Sequence, residues 1–186
     1  MPRTSPAGRN SHFVANVVAG LAGGLVASYV MDQALAALGK LPSRDGAPGG
    51  GQPHPQPETE PATYKVADAI ARAVSGHAVP HEHRPAAGAA VHYAFGGAVG
   101  AIYGAVAANH REITAVGGIP FGAAWWVVAD EIAVPAARLA KGPTAYPVTI
   151  HASALAAHLV YGATTEAIRR ALVHMFTRRP FTRHRD

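Results

Sequence analysis

The chain carries one pattern of residues twice, and this duplication constrains its fold more than any other feature. Each copy begins with two glycines four residues apart, continues through an apolar run of the same length and ends on an aspartate. A second apolar segment follows each copy and opens on a histidine. The residues are Gly20, Gly24, Asp32 and His92 in the first half, and Gly118, Gly122, Asp130 and His158 in the second. The repeat predicts two copies of one helix pair.

Long stretches of the chain carry no charged side chain. Charged residues make up 15% of the chain, against about 25% in typical soluble domains. The mean hydropathy of +0.09 does not decide between a soluble and a membrane protein, but the segregation of the charges does. About 20 apolar residues in a helix cross a hydrocarbon core about 30 Å thick. A soluble helical bundle is the alternative, but its helices would carry a polar stripe that these segments lack. The predicted membrane spans are 13–39, 86–108, 113–140 and 148–174.

The remaining segments are polar or rich in proline and glycine. Residues 63–76 have helical periodicity but are too short to span, which predicts an amphipathic helix on the membrane surface. A signal peptide cleaved near Ala36 is an alternative for the first span and would delete one member of the repeat. The other predicted segments are a cytoplasmic N-terminus at 1–12, a Pro/Gly linker at 40–62, a His-rich loop at 77–85 and a basic tail at 175–186. The predicted fold class is therefore an all-α membrane protein, with four transmembrane helices as two duplicated helix pairs and a short interfacial amphipathic helix.

Glycines recur inside the predicted spans at four-residue spacing, which places them on one side of each helix. Such stripes let two helix backbones approach closely in lipid. We expect Pro120 to kink the third span, because proline removes a backbone donor inside a helix. The glycines predicted to pack helices are Gly20, Gly24, Gly96, Gly100, Gly104, Gly118, Gly122 and Gly162.

Acidic and imidazole groups from both halves are predicted to share one depth in the membrane. Counted along the helices at about 1.5 Å per residue, they lie at similar distances from the face opposite the chain termini. A charged side chain in hydrocarbon costs at least about 2.5–3.5 kcal/mol, so these groups should face inward and pair. The predicted proton or ion layer consists of Asp32, His92, Asp130, Glu131 and His158.

Two further groups, His151 and Glu166, could extend this layer toward either face of the membrane. Glu166 could instead pair with Arg169 or Arg170 at the end of the fourth span.

Three interpretations of the layer stay open from the sequence. It could lock the helices of a scaffold or accessory subunit that transports nothing, it could handle protons or a cation, or it could bind a structural metal. Imidazole titrates near neutral pH, which suits a proton relay. Two histidines with two carboxylates suit Zn, Mn or Fe as a divalent cofactor.

A second candidate metal site lies in the loop that carries His77, His81 and His83. Three imidazoles within seven residues are typical of a divalent metal ligand set. Pro80 keeps a continuous helix from aligning them, so a solvated loop is the alternative. No enzyme motif is evident, and the absence of cysteine excludes thiolate ligands.

The net charge of +5 arises mostly from the C-terminal arginines. A basic tail after a span is typical of cytoplasmic orientation, so we expect both termini to lie in the cytoplasm. We expect the partner of the basic residues to be the lipid bilayer and not nucleic acid. A homo-oligomer or a larger membrane complex fits the same sequence.

The apolar segments contain His92-Tyr93-Ala94-Phe95-Gly96 with Gly100, Tyr103 and Gly104, then Phe121-Gly122, Trp125, Asp130-Glu131 and Pro135, and finally His158-Leu159-Val160-Tyr161-Gly162. These motifs resemble those of the YagU-like family of small bacterial inner-membrane proteins. The resemblance implies a multi-pass protein of the bacterial inner membrane, and it implies no substrate or catalytic residue. The long His-bearing first loop departs from the family pattern.

Overall fold

A computed structural model describes residues 6–40 and 60–177, and every regular element within these two ranges is helical. Most of the predicted linker, residues 41–59, and most of the basic tail lie outside the described residues, as do residues 1–5. The α-helices are α1 (Pro6–Leu38), α2 (Ala62–Ser75), α3 (Arg84–Ala107), α4 (Ile119–Trp126), α5 (Val134–Ala136) and α6 (Val148–Thr177). A π-helix (Val127–Ala133) joins α4 to α5, and 3₁₀ turns occupy His81–His83, Arg111–Gly118 and Pro143–Ala145.

Within residues 6–40 and 60–177, three helical segments are long and apolar enough to cross a membrane. They are Asn10–Leu38, His81–Ala107 and Arg111–Ala136. The fourth predicted span, 148–174, lies within α6 and is not one of the three. Helix α1 also begins earlier than predicted, at Pro6, and takes in part of the segment assigned to the N-terminus.

The predicted third span, 113–140, is not one continuous helix. The φ angle is positive at Val116 (49°), Gly117 (66°) and Gly118 (83°), so the helical conformation is interrupted before α4. Pro120 lies in the first turn of α4, where a helix needs no backbone donor. The predicted kink at Pro120 is therefore wrong, because the residue helps to begin a helix. At the other end, Arg138 has a φ of 57°, just after α5.

Glycines hold the two helix pairs at backbone contact. Helix α1 packs against both α3 and α6, and α4 packs against α6. A Cβ atom added to Gly100 would lie 2.7 Å from the Cα of Gly24 and would also meet the carbonyl oxygen of Gly20. In the second pair, a Cβ on Gly162 would lie 2.9 Å from the Cα of Gly122. Each pair therefore uses its own glycines to bring two backbones together.

Helix α2 packs against α3. Arg84 at the start of α3 binds the Asp68 carboxylate at 2.8 Å and the Glu60 carboxylate at 2.5 Å. Lys65 donates a hydrogen bond to the backbone carbonyl of Leu139 at 2.6 Å. These contacts place α2 over the ends of α3 and α5 that lie away from the chain termini.

Candidate functional site

A cavity of about 730 Å³ lies between α1, α2, α3, α6 and the segment of α4 to α5. Most of its lining side chains are apolar or aromatic. Among the described residues that line it, the acidic and imidazole side chains are two aspartates and two histidines, and each half of the chain supplies one of each. They are Asp32, His92, Asp130 and His158.

The first Asp–His pair joins α1 to α3. His92 Nε2 lies 3.2 Å from Asp32 Oδ1, although the geometry is not that of a hydrogen bond. The hydroxyl of Tyr93 donates to Asp32 Oδ2 at 3.0 Å. Asp32 is thus held from two sides while it lines the cavity.

The second pair joins the π-helix to α6. His158 Nδ1 lies 3.7 Å from Asp130 Oδ2, which is longer than a hydrogen bond. The same nitrogen is 2.9 Å from the carbonyl oxygen of Ala154, so Nδ1–H donates to that carbonyl within α6. His158 is 6% exposed. Its orientation is therefore fixed by its own helix and not by Asp130.

The π-helix gives neighbouring acids different partners. Glu131 Oε1 lies 2.6 Å from His151 Nδ1, and His151 Nε2 lies 2.9 Å from the carbonyl oxygen of Pro143. Glu131 does not line the cavity and is paired with His151 instead. Pro135 has no N–H to bond the carbonyl four residues earlier, which loosens the regular α-helical ladder here. Wide π-helical turns often occur at functional sites.

A second polar cluster lies at the opposite end of the bundle, and we call it the terminal network. The Glu166 carboxylate is 1% exposed and accepts hydrogen bonds from Arg169 at 2.7 and 2.8 Å and from Tyr103 at 2.9 Å. Arg170 also binds it, and Arg169 donates to the Asn16 side chain at 2.5 Å. Glu166 therefore pairs with arginines, one of the two alternatives that the sequence left open.

The described residues hold no group of three histidines and carboxylates arranged to bind a metal ion. The loop of His77, His81 and His83 does not form the predicted site. His77 Nδ1 lies 2.8 Å from the carbonyl oxygen of Ser75, and the other two histidines occupy a separate 3₁₀ turn after Pro80. The proline isolates the turn from α2, so the rings do not converge.

Sequence reasoning missed Asn16, Tyr93 and Tyr103 as polar partners. Asn16 was visible as the one amide within a charge-free apolar run, and intramembrane polar groups usually find partners in the bundle. Tyrosines gave no comparable signal, because their rings are equally suited to packing and to membrane interfaces. Tyr103 is 1% exposed, and its partner Glu166 lies 63 residues away in sequence.

A model of a protein family of unknown function, DUF1440, matches residues 58–167. The chain belongs to the DUF1440 family. A search of curated proteins and a search of solved structures each found no match. The DUF1440 match begins just before α2 and ends within α6. It therefore includes His92, Asp130 and His158, whereas Asp32 on α1 lies outside it.

Proposed function

We propose that this DUF1440 protein is an integral membrane protein that handles protons or a small cation at its two Asp–His pairs. The observation that supports this proposal is that both pairs, one from each half of the chain, line the same cavity. Ionisable groups within membrane helices are costly and commonly mark ion pathways and proton relays. Imidazole beside carboxylate is suited to taking up and releasing protons near neutral pH.

The alternative is that the pairs only lock the helices of a scaffold. The contact geometry favours proton handling over this role. The Asp130–His158 contact of 3.7 Å is too long for a strong hydrogen bond, and His158 bonds its own helix instead. Glycine contacts between backbones already hold the helices together. The carboxylate of Asp130 is thus available to the cavity.

We also propose that α6 is a fourth span, in the bacterial inner membrane suggested by the YagU-like resemblance. At 30 residues, α6 is about 45 Å long, which exceeds the hydrocarbon thickness. Four of its polar side chains are buried in the bundle, since His158, Thr165, Glu166 and Arg169 are all at most 9% exposed. This burial supports a span that is shielded from lipid in spite of its charges.

Proton flux into liposomes tests the proposed function. The purified chain is reconstituted with an internal pH dye, and a potassium diffusion potential drives protons across the membrane. We expect flux above that of empty liposomes, and a loss of at least about tenfold for Asp130→Asn and for His158→Gln. Glu112→Gln is the matched control, because Glu112 is 74% exposed and pairs with His110 away from the cavity.

Thermal unfolding of the same variants in detergent separates function from folding. Flux that equals that of empty liposomes for the wild-type chain would contradict the proposal. Variants that retain wild-type flux but unfold at lower temperature would support the scaffold instead.

A further inference from the structure

We propose that the cavity binds an organic cation with an aromatic or branched apolar body. This inference rests on the proposed function in that both use Asp32 and Asp130 at the cavity, and it names the class of ligand. Size, charge and lining each point to this chemistry.

The cavity is far larger than protons or a bare metal ion need. Its volume of about 730 Å³ falls within the range of about 300–1,000 Å³ that is typical of sites for small organic molecules. One water molecule occupies a share of only about 30 Å³ in the liquid. A cavity of this size suits a small organic molecule.

The charge of the lining favours a cation. Among the described residues that line the cavity, Asp32 and Asp130 are the acids, and none is a lysine or arginine. Lys65 lies nearby, but its ammonium group binds the carbonyl oxygen of Leu139 at the rim. Apart from the two histidines, the formally charged side chains of the lining are therefore both acidic.

The carboxylates are only partly used by the protein. A carboxylate offers about four acceptor sites. Among the described residues, Asp32 receives a hydrogen bond from Tyr93 and lies beside His92, whereas Asp130 makes the longer contact to His158. Both can therefore accept a charged group from a ligand.

Aromatic rings form one wall of the cavity. Phe95 and Trp125 lie with their ring centroids 5.7 Å apart, and the ring of Tyr161 lines the same space. Aromatic faces attract cations, most strongly when water is excluded. Because the rest of the lining is largely aliphatic, an apolar body beside the charge would displace water favourably.

Equilibrium dialysis of the full chain in detergent tests the inference with tetraphenylphosphonium as the probe and empty micelles as the blank. Tetraphenylborate has nearly the same shape and the opposite charge. We expect saturable binding of the phosphonium and none of the borate. The double variant Asp32→Asn/Asp130→Asn should weaken phosphonium binding by at least about tenfold, the factor that 1.4 kcal/mol represents.

Two tryptophan variants test the aromatic wall. Trp125→Leu should weaken phosphonium binding several-fold, since a cation–π contact is lost. Trp126→Leu is the matched control, because its ring lies beside His151 and does not line the cavity. If the double aspartate variant unfolds, the single variants Asp32→Asn and Asp130→Asn replace it, and each should weaken binding.

The outcomes distinguish this inference from the proposed function. Saturable borate binding equal to that of the phosphonium, or phosphonium binding that survives the loss of both carboxylates, would overturn the inference. Proton flux that depends on Asp130 without any phosphonium binding would reject the ligand class and leave the proposed function standing. Phosphonium binding without proton flux would reject the proposed function and leave the ligand class standing.

Discussion

Glu166 shows how a single side chain can carry a charge inside this bundle. Its carboxylate is 1% exposed and is bound by Tyr103, Arg169 and Arg170. In the duplicated pattern it occupies the position of Gly100, eight residues after the repeat histidine. One half of the chain therefore has backbone contact where the other has a buried ion pair.

Removing the Glu166 charge should destabilise the protein strongly. Glu166→Gln leaves Arg169 buried without its counter-charge, and breaking a buried pair in this way costs about 3–5 kcal/mol. Chemical denaturation in detergent, followed by tryptophan fluorescence, measures this change. Glu112→Gln removes an exposed carboxylate that contacts the neighbouring His110, and it should leave the unfolding midpoint unchanged. Equal midpoints for the two variants would show that the terminal network contributes little.

At the scale of elements, the packing of α1 on α3 depends on glycine at the crossing. Gly100→Ala places a methyl group against the carbonyl oxygen of Gly20 and within 2.7 Å of the Gly24 Cα. Both are backbone atoms, so the helices must separate. We expect a loss of about 1–3 kcal/mol in the free energy of unfolding, as for other overpacked sites.

The matched control for this crossing is Gly142→Ala. A Cβ atom there meets nothing within 4 Å, and its φ of −67° suits any residue. Denaturation should give the wild-type midpoint for this variant. A Gly100→Ala protein as stable as the control would mean that the close approach of α1 and α3 does not matter for stability.

The sequence predicted an all-helical chain with helices apolar enough to span a membrane, but it did not predict where the backbone departs from a regular α-helix. The glycine spacing identified the residues at both helix crossings. The break at Val116 was invisible, because a β-branched residue with positive φ is uncommon and has no sequence signature. The π-helix of Val127–Ala133 was equally hidden, since its composition matches that of an α-helix in a membrane.

At the scale of the whole molecule, counting residues along each helix brought the two Asp–His pairs to one place, and the structure has them around one cavity. The count could not separate Asp130 from Glu131, because their directions depend on the hidden π-helix. It also could not predict that the halves pack differently. Gly20 meets Gly100, eight residues after His92, whereas Gly118 meets Gly162, four residues after His158.

The orientation of the whole molecule can be tested directly because the chain contains no cysteine. Glu82 and Asn109 are exposed and lie just beyond the two ends of α3. The 24 residues of α3 extend about 36 Å. With both termini in the cytoplasm, a membrane-impermeant maleimide should label Glu82→Cys in intact spheroplasts and should label Asn109→Cys only after lysis. Labelling of both after lysis is the control for reactivity. The opposite pattern would place the termini outside, and labelling of both in intact spheroplasts would show that α3 does not cross the membrane.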